Sequence, residues 1–110
     1  MSTVLLVLTT CPTAETAESL ATALVTEGLA ACVNHVPGVH STYIWSGQLQ
    51  QDNEILLLIK TTADRLAELE TRLKALHPYE LPELVAIPAA GGSDAYLQWV
   101  RDSVARSIKK

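Results

Sequence analysis

The chain has no phenylalanine, and its aromatic residues are two tryptophans and three tyrosines among 110 residues. A core must therefore be built from Leu, Val, Ile and Ala, within an apolar fraction of 48%. Basic residues are also few, eight against twelve acids for a net charge of −4. Without a basic stripe there is nothing to track a polyanionic backbone, so nucleic acid is excluded as a partner. Long apolar runs are missing as well. The first, Val4-Leu5-Leu6-Val7-Leu8, has no Lys or Arg before it and falls far short of the ~20 residues that cross a bilayer. No membrane span and no signal peptide are expected. The two cysteines, Cys11 and Cys32, then read as free thiols of a cytoplasmic protein rather than a disulfide. No GxxxxGK[ST], HExxH or CxxC pattern is present, and the chain is read as a non-enzyme.

What is present fits one domain over residues 1–110. Val4 to Leu8 is too short for a helix and predicts a buried strand ending at Cys11-Pro12. Thr13 is placed to cap a helix with Ala17, Leu20, Ala21, Leu24 and Val25 on one face, stopped by Gly28. Ala31 to Val36 and Val39 to Trp45 predict a strand interrupted at Pro37-Gly38, and Ser46-Gly47 a tight turn into a strand centred on 55–59. Thr61 or Thr62 is expected to cap a second helix. It carries Leu66, Leu69, Leu73 and Leu76 inward, with Glu68/Arg72 and Glu70/Lys74 paired outside and Pro78 after it. Leu84 to Ile87 predicts a fourth strand. Ser93 caps a last helix with Leu97, Val100, Val104 and Ile108 inward and Lys109 and Lys110 at its negative end. The order βαββαβ plus a C-terminal helix is that of the split βαβ, ferredoxin-like α+β fold with an antiparallel sheet.

In that fold two helices cover one sheet face, and one short C-terminal helix hides only part of the other. Residues 4–8 and 55–59 are nonetheless apolar at every position, as strands covered on both faces are. A bare patch of several hundred Å² marks an association site, and self-association is the expected outcome.

Ala30-Ala31-Cys32-Val33-Asn34, Pro37-Gly38-Val39, Tyr43-Ile44-Trp45, Glu54 to Thr61 and His77-Pro78-Tyr79-Glu80-Leu81-Pro82-Glu83, with Thr10-Cys11-Pro12 before and Tyr96-Leu97-Gln98-Trp99 after, resemble the CutA divalent-cation-tolerance family. The resemblance runs from about Val4 to Arg101. It implies a homotrimer of ferredoxin-like subunits, architecturally similar to the PII signalling proteins, whose long hairpins extend one another's sheets. It also implies a role in the response to metal ions, copper above all.

Histidine and cysteine suit copper or another divalent cation. The metal candidates are His77, Cys32 and Cys11. His77 precedes Pro78 and is followed by Tyr79, Glu80 and Glu83, so imidazole, phenol and carboxylate are gathered in one segment. Cys32 and His35 lie three apart on a strand and point to opposite faces unless Pro37 bends the chain. Cys11 precedes a helix N-terminus, a setting that lowers a thiol pKa. Some relatives suspected of copper ligation carry a second histidine before the first and a cysteine near the end of the first strand; here those places hold Leu76 and Thr9. A second set, Lys60, Tyr79, Glu83, Trp45 and Tyr43, is the candidate lining of a small-molecule site between subunits, the alternative, PII-like reading.

Overall fold

A computed structural model describes residues 2–105; the expected inward Ile108 and the terminal Lys109 and Lys110 lie outside them. Strand β1 (Val4–Cys11) is followed by helix α1 (Ala14–Thr26), strands β2 (Cys32–Trp45) and β3 (Gln48–Thr62), helix α2 (Leu66–Leu76), strand β4 (Val85–Pro88) and helix α3 (Asp94–Val104). The four strands form one antiparallel sheet in the order β2-β3-β1-β4, the ferredoxin-like arrangement.

Local signals account for the boundaries. Thr13 caps α1 by accepting from the Thr16 amide at 3.1 Å, and Ser93 caps α3 through the Tyr96 amide at 3.3 Å. Helix α1 ends where Gly28 turns to φ +74°, a conformation that a Cβ disfavours. Ser46 and Gly47, with φ of 51° and 76°, make the two-residue turn whose twist matches a hairpin.

Two expectations for α2 are corrected. Neither Thr61 nor Thr62 caps it, because a single 3-10 turn, Ala63–Arg65, comes first. The Thr61 hydroxyl instead donates to the Leu29 carbonyl at 2.7 Å inside the fold. Glu70 and Lys74 pair as the spacing predicts, at 2.9 Å. Arg72, however, turns from Glu68 to grip Glu27 beyond the end of α1 with Nε and Nη2 at 2.8 and 3.0 Å. A two-pronged carboxylate contact between helices is better geometry than a single contact along one. Val25, expected inward on α1, is exposed, as is Leu76 at the end of α2.

The core lies between α1, α2 and one sheet face. It contains Leu20 and Leu24 of α1 and Leu69 and Leu73 of α2 against Leu5, Val7, Cys11, Leu57 and Ile59. Opposed residues share a sheet face, so the register puts Leu6 and Leu8 of β1, Leu56, Leu58 and Lys60 of β3, and Val85 and Ile87 of β4 on the other side. Helix α3 packs there against β3 and β1, burying Val100 and Val104. It leaves Val85 and Ile87 exposed and Leu6, Leu8, Leu56 and Leu58 half-buried.

The Pro37-Gly38 break is a bulge between Val36 and Val39, where proline has no amide to give the ladder and Gly38 takes φ +76°. It reverses which parity of β2 faces which side. Cys32, Asn34 and Val36 before it share the α3 side with Val39, Ser41, Tyr43 and Trp45 after it. Because β1 stops at Cys11, opposite Ile55, the hairpin beyond Glu54 pairs only with itself. Its tip exposes Ile44 and Leu49, each at 64%.

Candidate functional site

The end of β1 leaves room for the chain that follows α2 to cross the sheet edge. Two side chains mark the crossing. His77, the residue that closes α2, is 7% exposed. Its Nε2 lies 2.8 Å from the Thr10 carbonyl, and its Nδ1 faces the Tyr79 amide at 3.1 Å. A carbonyl only accepts and an amide only donates, so Nε2 is the donor nitrogen and Nδ1 the acceptor. Cys11 Sγ lies 3.9 Å from the same Nε2. Two residues on, the Tyr79 hydroxyl donates to Glu54 Oε2 at 2.6 Å, its ring tilted against His77 with centroids 4.8 Å apart. Beyond Glu54 the Tyr43 hydroxyl donates to Asp52. The result is a line of chemistry from the imidazole and thiol, through a phenol, to two carboxylates.

Electrostatics in this corner favours neutral donors. Burial, and secondarily the charge of Glu54, pushes the Cys11 thiol up to about 11. This corrects the expectation that a helix N-terminus would lower it: Cys11 is fully buried in the core, and desolvation disfavours a thiolate. Burial and the bond to Glu54 likewise raise Tyr79, and the bond to Asp52 is the first cause that raises Tyr43.

The metal candidates divide. Cys11 and His77 come together, whereas Cys32 pairs in register with Lys60 on the opposite, α3 side of the sheet. Among the described residues no group of three or more His, Cys, Asp or Glu side chains is placed to hold one ion. The small-molecule candidates divide too. Tyr43 and Tyr79 meet at the Asp52 and Glu54 carboxylates, and Trp45 sits one turn of the pleat beyond Tyr43 on the same face. Lys60 opposes Cys32 whereas Tyr43 opposes Gln50, which separates them by about 33 Å at ~3.3 Å per residue. Glu83 is exposed in the connection between α2 and β4. One chain therefore gathers Tyr43, Trp45 and Tyr79 at the hairpin and places Lys60 apart from them.

Glu54, Asp52 and Asn34 were not among the residues singled out from the sequence. A signal existed for the first: Glu54 is an acid directly preceding the apolar run of β3, and its burial to 6% exposure demands a partner. The partner comes from elsewhere in the chain, which spacing does not reveal.

Comparisons with known proteins agree with this architecture. The family model described as CutA1 divalent ion tolerance protein matches residues 5–103. A divalent-cation tolerance protein CutA of Thermus thermophilus is 53% identical over 97 residues, covering 88% of this chain and 94% of that one. A chloroplastic protein CutA of Arabidopsis thaliana is 46% identical over 99 residues, 90% of this chain but 54% of that one. A crystal structure of CutA1 from Oryza sativa superposes with a TM-score of 0.92 at 42% identity, covering 96% of this chain and 97% of that one.

Proposed function

The chain belongs to the CutA1 divalent ion tolerance family, and on that premise we propose that it is a non-enzymatic, cytoplasmic homotrimer that responds to metal ions by binding copper or another divalent cation weakly at the Cys11–His77 corner. The observation that carries the reading is the 3.9 Å separation of Cys11 Sγ and His77 Nε2. One ion spans it with metal–sulfur and metal–nitrogen bonds of about 2.3 and about 2.0 Å. Thiolate and imidazole suit a soft or borderline ion.

Weakness follows from the same geometry. Two side chains are fewer than a tight site uses, the Nε2 proton must move to Nδ1 at the expense of the bonds to the Thr10 carbonyl and the Tyr79 amide, and the thiol holds its proton up to about pH 11. Metal must displace the thiol proton, so affinity rises with pH. The two free cysteines on opposite faces of the sheet favour a reducing compartment, and the unpartnered apolar residues on the α3 side favour assembly.

Copper titration by calorimetry at pH 6, 7 and 8 tests the site in the wild type, His77→Ala and Cys11→Ala. Affinity that climbs with pH in the wild type and drops at least tenfold in both variants is the expected result. Binding unchanged by either substitution removes this corner as the metal site.

A second reading, a small molecule held between subunits, is favoured by Lys60, whose ammonium has no carboxylate partner among the described residues.

A further inference from the structure

We propose that Lys60 anchors a site for a small oxyanion, phosphate or carboxylate, on the sheet face beside α3. The inference deepens the small-molecule reading, on which it rests, and is independent of the Cys11–His77 corner.

The register sets Lys60 in a row across all four strands, between Leu6 and Cys32, with Ile87 beyond Leu6. Lys60 is the only charged residue of that row. A half-buried ammonium on an apolar face is costly unless something compensates it, and here the compensation is neutral throughout. Nζ donates to Asn34 Oδ1 and lies 5.9 Å from the centroid of the Tyr96 ring, within cation–π range. Asn34 Oδ1 also takes the Cys32 thiol at 3.9 Å. The ion pairs of the described residues use Arg65, Arg72 and Lys74 and leave Lys60 without a carboxylate, in a chain whose acids outnumber its bases by twelve to eight.

The chemistry of the ligand follows from this set. An ammonium has three donors, and the protein engages one in a hydrogen bond. Asn34 turns its oxygen to the lysine, which leaves its amide N–H donors for a second acceptor. Tyr96, 42% exposed, sets its ring 5.9 Å from the ammonium. A compact anion with two or three oxygens matches such donors. The overall negative charge of the chain works against an extended polyanion, so the ligand is a small one.

The test uses the full-length, metal-free protein in its native assembly, with inorganic phosphate and succinate as separate probes against chloride at equal ionic strength. Thermal stability is read for the wild type, Lys60→Arg and Lys60→Met, because a ligand of the folded state raises the melting temperature. The expected result is a rise with one probe in the wild type, retained in Lys60→Arg, and at least tenfold weaker binding in Lys60→Met. Phosphate alone assigns a phosphate ligand, and succinate alone a carboxylate. Amide chemical shifts near Asn34 and Tyr96 should move with the probe in the wild type only, and native-like spectra elsewhere verify that Lys60→Met is folded. An equal response in Lys60→Met overturns the role of Lys60 while leaving small-molecule binding elsewhere intact. No response to either probe in the wild type overturns the oxyanion site itself; a metabolite screen that still finds a neutral or cationic ligand would then preserve the broader reading.

Discussion

The Tyr79 hydroxyl donates to Glu54 Oε2 at 2.6 Å, joining residues 25 positions apart around the free end of β1. Glu54 is 6% exposed, so this bond satisfies a carboxylate that water barely reaches. It also ties the connection after α2 to the hairpin. Tyr79→Phe keeps the ring beside His77 and removes only the donor. It should lower unfolding stability by about 1–3 kcal/mol, the usual range when a buried acceptor loses its partner, with an unchanged denaturant slope. Glu54→Gln retains an acceptor and should cost less. Equal losses in both variants would mean that charge at Glu54, rather than the hydrogen bond, sets the stability.

The Cys11 thiol gives the fold an alkaline dependence. Its pKa in the folded state, about 11 against an ordinary 9.0, lies above the unfolded value. The native state therefore holds this proton more tightly, and the contribution is complete below about pH 9 and lost as pH rises towards 11. Two pKa steps correspond to about 3 kcal/mol in order of magnitude. Tyr79 is raised as well and adds a loss that begins above pH 10. Denaturant melts from pH 8 to 11 should show falling stability in the wild type and a shallower fall in Cys11→Ala. Parallel curves for the two proteins would exclude the thiol as a source.

Helices, strands and caps were legible in the sequence because their causes are local. Thr13, Gly28, Ser46-Gly47 and Ser93 each act within a few residues, and each does what its position predicts. The pairing of Arg72 with Glu27 rather than Glu68 was not legible, because both choices suit an arginine and only the packing of α1 on α2 decides between them. The corner at His77 was visible as a motif and not as a geometry. Its neighbours Thr10, Cys11 and Glu54 arrive through strand register, and the bulge at Pro37-Gly38 decides which face Tyr43 shares with Asp52. A cysteine near a helix start looked activated, but burial, which sequence spacing does not report, outweighs the helix terminus.

The exposed side of the sheet makes assembly testable. Val85 and Ile87 are 50% and 44% exposed on the edge strand β4, on the same face as Leu6 and Leu8. Light scattering should give a wild-type mass three times the 11.9 kDa of the chain. A Val85→Lys, Ile87→Lys double variant should shift it towards a single chain with little change in far-ultraviolet circular dichroism, since neither side chain belongs to the core. A wild type that is already a single chain at micromolar concentration would remove the trimer.

Thr9 offers a substitution that should strengthen the fold. It is fully buried on the side of β1 that faces α1 and α2, opposite Leu57, and its Oγ1 has no hydrogen-bond partner among the described residues. Burying an unsatisfied hydroxyl costs about 1–3 kcal/mol. Valine has nearly the same shape, keeps the β-branch that suits a strand and replaces the stranded oxygen with a methyl group among Leu57 and its neighbours. Thr9→Val should therefore raise unfolding stability by about 1 kcal/mol, whereas Thr9→Ala should fail to do so because it leaves a void in a packed core. Chemical denaturation of the three proteins decides it. A Thr9→Val variant less stable than the wild type would mean that the hydroxyl has a partner in solution, and the neighbouring Cys11–His77 corner would then need to be redrawn with Thr9 inside it.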